Sequence, residues 1–154
     1  MRATRRDFLR ITAFAGGALA IGVHTGRAAD EKTAPFKPNV WLQIERDGTI
    51  TITMAKAEMG QGVRTSLPMI VAEELDADLS RVRLVQAVTG PDFKRISTGG
   101  SWSVGGSWKT LRSAGAAARA MLVTAAAARM GADRGVLRTE SGYVINDRTG
   151  KRIS

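Results

Sequence analysis

Between Glu58 and Gly62 the chain reads Glu-Met-Gly-Gln-Gly, which sets one carboxamide between two glycines. A glutamine side chain brings one acceptor oxygen and two N–H donors. Its flanking residues, Gly60 and Gly62, lack a Cβ, so the backbone can adopt unusual φ values and approach a ligand closely. A helix expected just after this stretch would add free backbone N–H groups and a positive dipole end, which suits an oxygen-rich or anionic ligand. The same residues are also compatible with a tight strand-to-helix turn carrying a solvated glutamine.

A second candidate lies between Ser97 and Ser107, where Thr98-Gly99-Gly100-Ser101 is followed by Trp102 and by another glycine pair, Gly105-Gly106. Hydroxyls and glycine N–H groups at this density can form an anion-binding concavity. They can equally form a flexible surface loop, since the surrounding section from Thr89 to Trp108 shows no periodicity.

Composition removes several chemistries. The chain has no cysteine and a single histidine, His24. Disulfides, thiolate metal sites, iron–sulfur clusters and zinc or iron sites built on His and Cys are therefore not expected of it. Any metal has to arrive inside a cofactor that brings its own ligands. The formal net charge is +9 over 154 residues. Residues 1–28 hold five arginines and one aspartate, which leaves +5 for the rest. Those positive charges are scattered and few aromatics lie between them, so nucleic-acid binding is not expected.

The alternating stretches predict the elements that hold the two candidates. Val40–Ile44 and Thr49–Met54 read as strands of a hairpin, turned at Asp47-Gly48. A first helix follows the Gly-Gln-Gly loop, with Thr65 or Ser66 as its N-cap and Pro68 in its first turn. Its apolar set Leu67, Ile70, Val71 and Leu75 recurs at helical spacing and should face a sheet. Val82–Val88 reads as a third strand and Leu111–Met130 as a second, alanine-rich helix. Val136–Thr139 and Tyr143–Asn146 form a small hairpin around Glu140-Ser141-Gly142. The fold class is α+β: a small mixed sheet of hairpin strands with two helices packed on it.

The N-terminus follows a different grammar. Arg2, Arg5, Arg6 and Arg10 precede Ile11–Val23, which is apolar or small throughout, and Gly26-Arg27-Ala28 offers small residues for cleavage. The apolar run of 13 residues is shorter than the roughly 18 that a membrane-spanning helix requires. Arg5-Arg6-Asp7-Phe8-Leu9-Arg10 resembles a twin-arginine export signal, with Arg5, Arg6, Phe8 and Leu9 carrying the match. The domain reading is a signal over residues 1–28, a polar linker over 29–38 and a partial domain over 39–154. The resemblance implies passage through the twin-arginine translocase in the folded state, a periplasmic location and membrane contact only through the signal segment.

Four patterns then act together: Glu58-Met59-Gly60-Gln61-Gly62-Val63-Arg64-Thr65, Leu67 to Asp76, Thr98-Gly99-Gly100-Ser101, and Leu111 to Arg119. Their order resembles the molybdenum hydroxylase (xanthine oxidase) family, in particular exported molybdopterin-binding large subunits of the isoquinoline 1-oxidoreductase and aldehyde dehydrogenase type. The resemblance spans the chain from Asn39 onward and implies that these elements are part of a larger molybdopterin-binding domain. It implies a molybdopterin-type cofactor, the cytosine dinucleotide form being one option, and hydroxylation of an aldehyde or N-heterocycle carbon with oxygen from water. It implies that Gln61, presented by Gly60 and Gly62, hydrogen-bonds an oxygen on molybdenum. Thr98, Gly99, Gly100 and Ser101 would approach the phosphate or nucleotide portion, with Trp102 where relatives often carry arginine. A small iron–sulfur subunit and an electron acceptor are the implied partners. The family's general-base glutamate lies near the far C-terminus of such subunits, and Glu58, Glu73 and Glu74 do not match it. The chain is therefore expected to be an N-terminal fragment, inactive alone. The competing expectation is a non-catalytic exported binding or scaffold domain for a nucleotide-like or anionic ligand.

Overall fold

A computed structural model describes residues 36–154. The expected signal, with Arg5, Arg6, Phe8 and Leu9, and most of the expected linker lie outside the described residues. The remainder forms two small sheets and two long helices. Strands β1 (Phe36–Asn39), β2 (Leu42–Ile44), β3 (Ile50–Met54) and β4 (Val82–Gln86) form one sheet in that order. The first two pairings are antiparallel and β3–β4 is parallel. Between β3 and β4 runs helix α1 (Val63–Leu75), and after β4 comes α2 (Gly105–Met130). Strands β5 (Leu137–Glu140), β6 (Tyr143–Asn146) and β7 (Arg152–Ile153) make a second, antiparallel sheet.

The α+β expectation holds, and its details shift for physical reasons. The first strand of the hairpin begins at Leu42 rather than Val40, because Asn39 turns the chain by accepting the Trp41 N–H at 3.0 Å. Residues 36–38 of the expected linker become part of β1. Helix α1 begins at Val63, two residues before the expected Thr65 cap, behind Gly62 in the left-handed region. Pro68 is consequently the sixth helical residue, an interior position where it withholds a hydrogen bond from the Arg64 carbonyl. Helix α2 starts six residues earlier than expected and takes in Gly105 and Gly106. The Trp102 ring lies against that glycine face, its nearest atom 3.4 Å from where a Gly106 Cβ would sit. The Trp102 carbonyl accepts the Gly106 N–H at 2.9 Å.

Leu67, Ile70, Val71 and Leu75 are all buried, as their spacing requires, against Leu42, Ile50, Ile52 and Met54 of the sheet. Leu111, Ala114 and Ala118 bring α2 onto α1. The crossing is close at Gly115, where a Cβ would stand 2.7 Å from the Val71 carbonyl oxygen. At the far end of α1, the Asp76 carboxylate accepts from the Thr139 hydroxyl at 2.6 Å and the Ser141 N–H at 3.2 Å. Its carbonyl accepts the Gly142 N–H at 2.6 Å, so one residue ties α1 to the second sheet.

Candidate functional site

Parallel pairing of β3 with β4 sends both glycine-rich loops out of the same end of the sheet. Loop L1 (55–62) follows β3 and loop L2 (87–104) follows β4. The carboxyl ends of parallel strands are where ligands of open α/β sheets gather. The Met54 carbonyl at the end of β3 accepts both the Ala87 N–H and the Gln86 side chain, each at 2.9 Å, which fixes the two exits together.

L1 is organised by Glu58. Its Oε1 accepts the N–H groups of Gly60 at 2.8 Å and Gly62 at 3.0 Å, and its Oε2 accepts that of Arg64 at 2.9 Å. The Arg64 and Gly62 N–H groups, in that order, hold the carboxyl below the usual glutamate value. Gly60 and Gly62 have φ of 94° and 81°, conformations that L-residues rarely adopt. The expected free helix N-terminus is thus already served by the protein's own carboxylate. An anion there would meet Glu58 first, which corrects the expectation of an anion seat at this helix start.

Gln61 has a defined orientation. Its Oε1 accepts the Met59 N–H at 2.6 Å and its Nε2 donates to the Ala57 carbonyl at 2.7 Å. Since one neighbour only donates and the other only accepts, the carboxamide cannot be flipped without losing both bonds. One Nε2 hydrogen is left to offer, on an exposed side chain.

L2 is pinned rather than loose. Phe93 packs edge-on against Trp41, with ring centroids 4.9 Å apart. The Lys56 ammonium donates to the Ser97 carbonyl at 3.2 Å. The Thr98 hydroxyl accepts the Ala57 N–H at 2.9 Å and donates to the Ala57 carbonyl at 3.1 Å. Gly100 and Ser101 both have positive φ, 60° and 58°, and the Trp102 N–H closes this turn onto the Gly99 carbonyl at 3.3 Å. A turn with two successive positive φ values explains Gly100. Gly99 has no such φ and, among the described residues, nothing within 4 Å of its Cβ position, so neither conformation nor packing there asks for glycine.

The structure therefore brings Gln61 and Thr98 together at Ala57. Among the described residues, no atom beyond their chain neighbours lies within 4 Å of the Cβ positions of Gly60, Gly62 and Gly99, so this part of the fold leaves their backbones open to an approaching group. Sequence reasoning found the two loops and missed what joins them: Ala57, Lys56 and the clamp of Glu58. The signal for Glu58 was present, because a helix starting behind a glycine has no side-chain cap of its own. Beside the loops, a cleft among Trp41, Met54, Lys56, Leu67, Ser107 and Leu111 measures about 30 Å³. That is too small to enclose a cofactor. Among the described residues there is no cluster of His, Cys, Asp and Glu able to hold a bare metal ion.

A family described as a molybdopterin cofactor-binding domain matches residues 2–154. The chain belongs to this family. Isoquinoline 1-oxidoreductase subunit beta of Brevundimonas diminuta is 37% identical over 165 residues, covering 97% of this chain and 21% of that protein. A membrane-bound aldehyde dehydrogenase of Gluconacetobacter polyoxogenes, named for pyrroloquinoline-quinone, is 44% identical over 96 residues, covering 62% of this chain and 12% of that one. The reconstituted CO dehydrogenase of Oligotropha carboxidovorans shares the fold, with a TM-score of 0.62 at 21% identity over 73% of this chain and 14% of its own. The chain thus spans about a fifth or less of the length of these relatives.

The residues fit the cofactor of the family. A molybdopterin brings its own sulfur ligands, so the protein needs no metal-ligating side chains. What it needs are N–H donors and uncrowded backbone, and the Gln61 amide with Gly60, Gly62 and Gly99 provides both.

Proposed function

We propose that this chain supplies one wall of the cofactor site of a molybdenum-dependent oxidoreductase. The observation that carries the reading is the convergence of L1 and L2 at Ala57, which puts a fixed carboxamide and an unexplained open glycine on one surface. The molybdenum cofactor, when bound, supplies two-electron oxidation of an aldehyde or N-heterocycle carbon with oxygen taken from water. The chain's own part is positional. Gln61 offers its second Nε2 hydrogen to the cofactor, and Gly60 and Gly62 keep side chains out of its way. Gly99, Gly100 and Ser101 present backbone to the phosphate or nucleotide portion, for which the cytosine dinucleotide form is the proposed variant.

No glutamate of L1 or α1 is proposed as a general base. The Glu58 carboxylate is committed to three backbone N–H groups, and Glu74 is paired with Arg112. The 154-residue chain is accordingly proposed to lack turnover alone. A small iron–sulfur subunit is proposed as the electron-accepting partner, with export of the folded protein through residues 1–28 to the periplasm.

The test is co-expression with that subunit, followed by measurement of molybdenum, bound nucleotide and aldehyde oxidation. Molybdenum should co-purify with the complex and fall when Gln61→Ala is introduced, while the chain alone oxidises no aldehyde. Pyrroloquinoline quinone in place of molybdenum would overturn the cofactor. Turnover by the chain alone would overturn the single-wall reading.

A further inference from the structure

The Thr98 hydroxyl has no hydrogen to spare for a phosphate oxygen of a cofactor. Its single hydrogen goes to the Ala57 carbonyl at 3.1 Å, and one lone pair takes the Ala57 N–H at 2.9 Å. The same carbonyl receives the Gln61 Nε2 at 2.7 Å. Two side chains 37 positions apart in sequence therefore share one acceptor atom. Among the described residues, the Gln61 side chain is held at only one other point, the Met59 N–H. Moving Ala57 moves the anchor of the carboxamide.

We infer that Thr98 is a positioning residue, whose hydroxyl fixes Ala57 and through it the direction in which the Gln61 amide offers its free hydrogen. This rests on the reading of Gln61 as the residue that faces the cofactor. It assigns L2 a second task besides meeting the cofactor, because the state of one loop is transmitted to the other through a single backbone residue. Lys56 reinforces the join from the next position by holding the Ser97 carbonyl. The hydroxyl, rather than the size of the side chain, is the operative group: a methyl in its place makes neither bond to Ala57.

The experiment is amide exchange and side-chain NMR on the full 154-residue chain, with no cofactor added. In the wild type the Ala57 N–H should exchange more slowly than an unbonded loop amide. In Thr98→Val, which keeps the shape and loses the hydroxyl, Ala57 exchange should rise about fivefold, the loss of one net hydrogen bond. The Gln61 side-chain NH₂ signals should shift as well, although Gln61 itself is unchanged. Thr98→Ser should keep both wild-type signatures. Unmoved Gln61 signals in Thr98→Val would overturn the inference, as would Thr98→Ser behaving like Thr98→Val. Should Thr98→Val fail to fold, Thr98→Ser and the wild type decide: loss of Ala57 protection in either one overturns it, and retention in both supports it. None of these readouts uses the cofactor. A complex without molybdenum but with coupled Ala57 and Gln61 signals would refute the proposed function and leave the coupling standing.

Discussion

L1 and L2 leave the same end of the sheet, yet they are held by different physics. L1 is shaped by a charged group, the Glu58 carboxylate, that gathers three N–H donors. L2 is shaped chiefly by neutral contacts, an edge-on ring pair, a hydroxyl and a turn closed by one backbone bond, with one charged donor, the Lys56 ammonium, on the Ser97 carbonyl. Charge-assisted hydrogen bonds are roughly twice as strong as neutral ones. The loop that presents the carboxamide is therefore the one that acid can loosen. The glycines differ too. In L1 both are demanded by positive φ, whereas in L2 only Gly100 is and Gly99 answers to nothing inside the described chain.

The contrast can be broken most severely from below, where both loops share the α1–α2 seam. Gly115→Ala would place a methyl against the Val71 carbonyl and the Glu74 Cβ, at 2.7 and 2.9 Å. Overpacking of this kind costs about 1–3 kcal/mol. Denaturant midpoints should fall, and amides in L1 and L2 should lose protection together; loss in one alone would show that the seam does not carry both. A smaller effect, about 1–2 kcal/mol, is expected of Gly62→Ala, which forces an alanine into the left-handed region. Chemical denaturation would measure it, and exchange should quicken in L1 while Phe93 and Thr98 keep their wild-type signals.

Acid should separate the loops without any mutation. The folded-state pKa of Glu58 lies below its ordinary value of 4.5, so the stability it contributes is complete above that value. That contribution is lost as pH falls from there through the lowered folded pKa. Amide exchange at Gly60, Gly62 and Arg64, corrected for intrinsic rates, should accelerate over this window while Ala57 stays protected. Asp47 and Asp78 also have lowered values, so global stability will fall as well. Glu58→Gln is the control: it should remove the local acid response in L1 and leave the global one. The smallest effect on the fold is expected of Gly99→Ala. With no positive φ and open space around it, unfolding should change by less than about 0.5 kcal/mol. Its consequence should instead appear as molybdenum lost from the complex. A stability loss matching that of Gly62→Ala would remove the distinction between the loops.

What the sequence made legible was whatever depends on short-range pattern. The alternation in Thr49–Met54 and Val82–Val88, of which the strand takes Val82–Gln86, the helical spacing of Leu67, Ile70, Val71 and Leu75, and the Ser141-Gly142 turn all point to elements that are present. What it concealed depended on distant partners. Gly105 and Gly106 read as loop because glycine is a poor helix former. They are helical here because the Trp102 ring covers them and its carbonyl takes the first bond. Glu58 reaches Arg64, six residues on, beyond the three-residue spacing of a capping box. Thr98 and Ala57 meet across 41 positions, and no local rule anticipates such a pair.

Helix α1 has a carboxylate fastening at each end, Glu58 before its first turn and Asp76 after its last. At 1.5 Å per residue its 13 residues act as a ruler of about 20 Å between the carboxamide loop and the second sheet. Each inserted or deleted residue would also swing one fastening by about 100° relative to the other. The helix is thus constrained in length and phase as well as in composition. Its exposed positions can change freely, but its residue count cannot drift without unhooking either Gln61 or the β5–β6 turn.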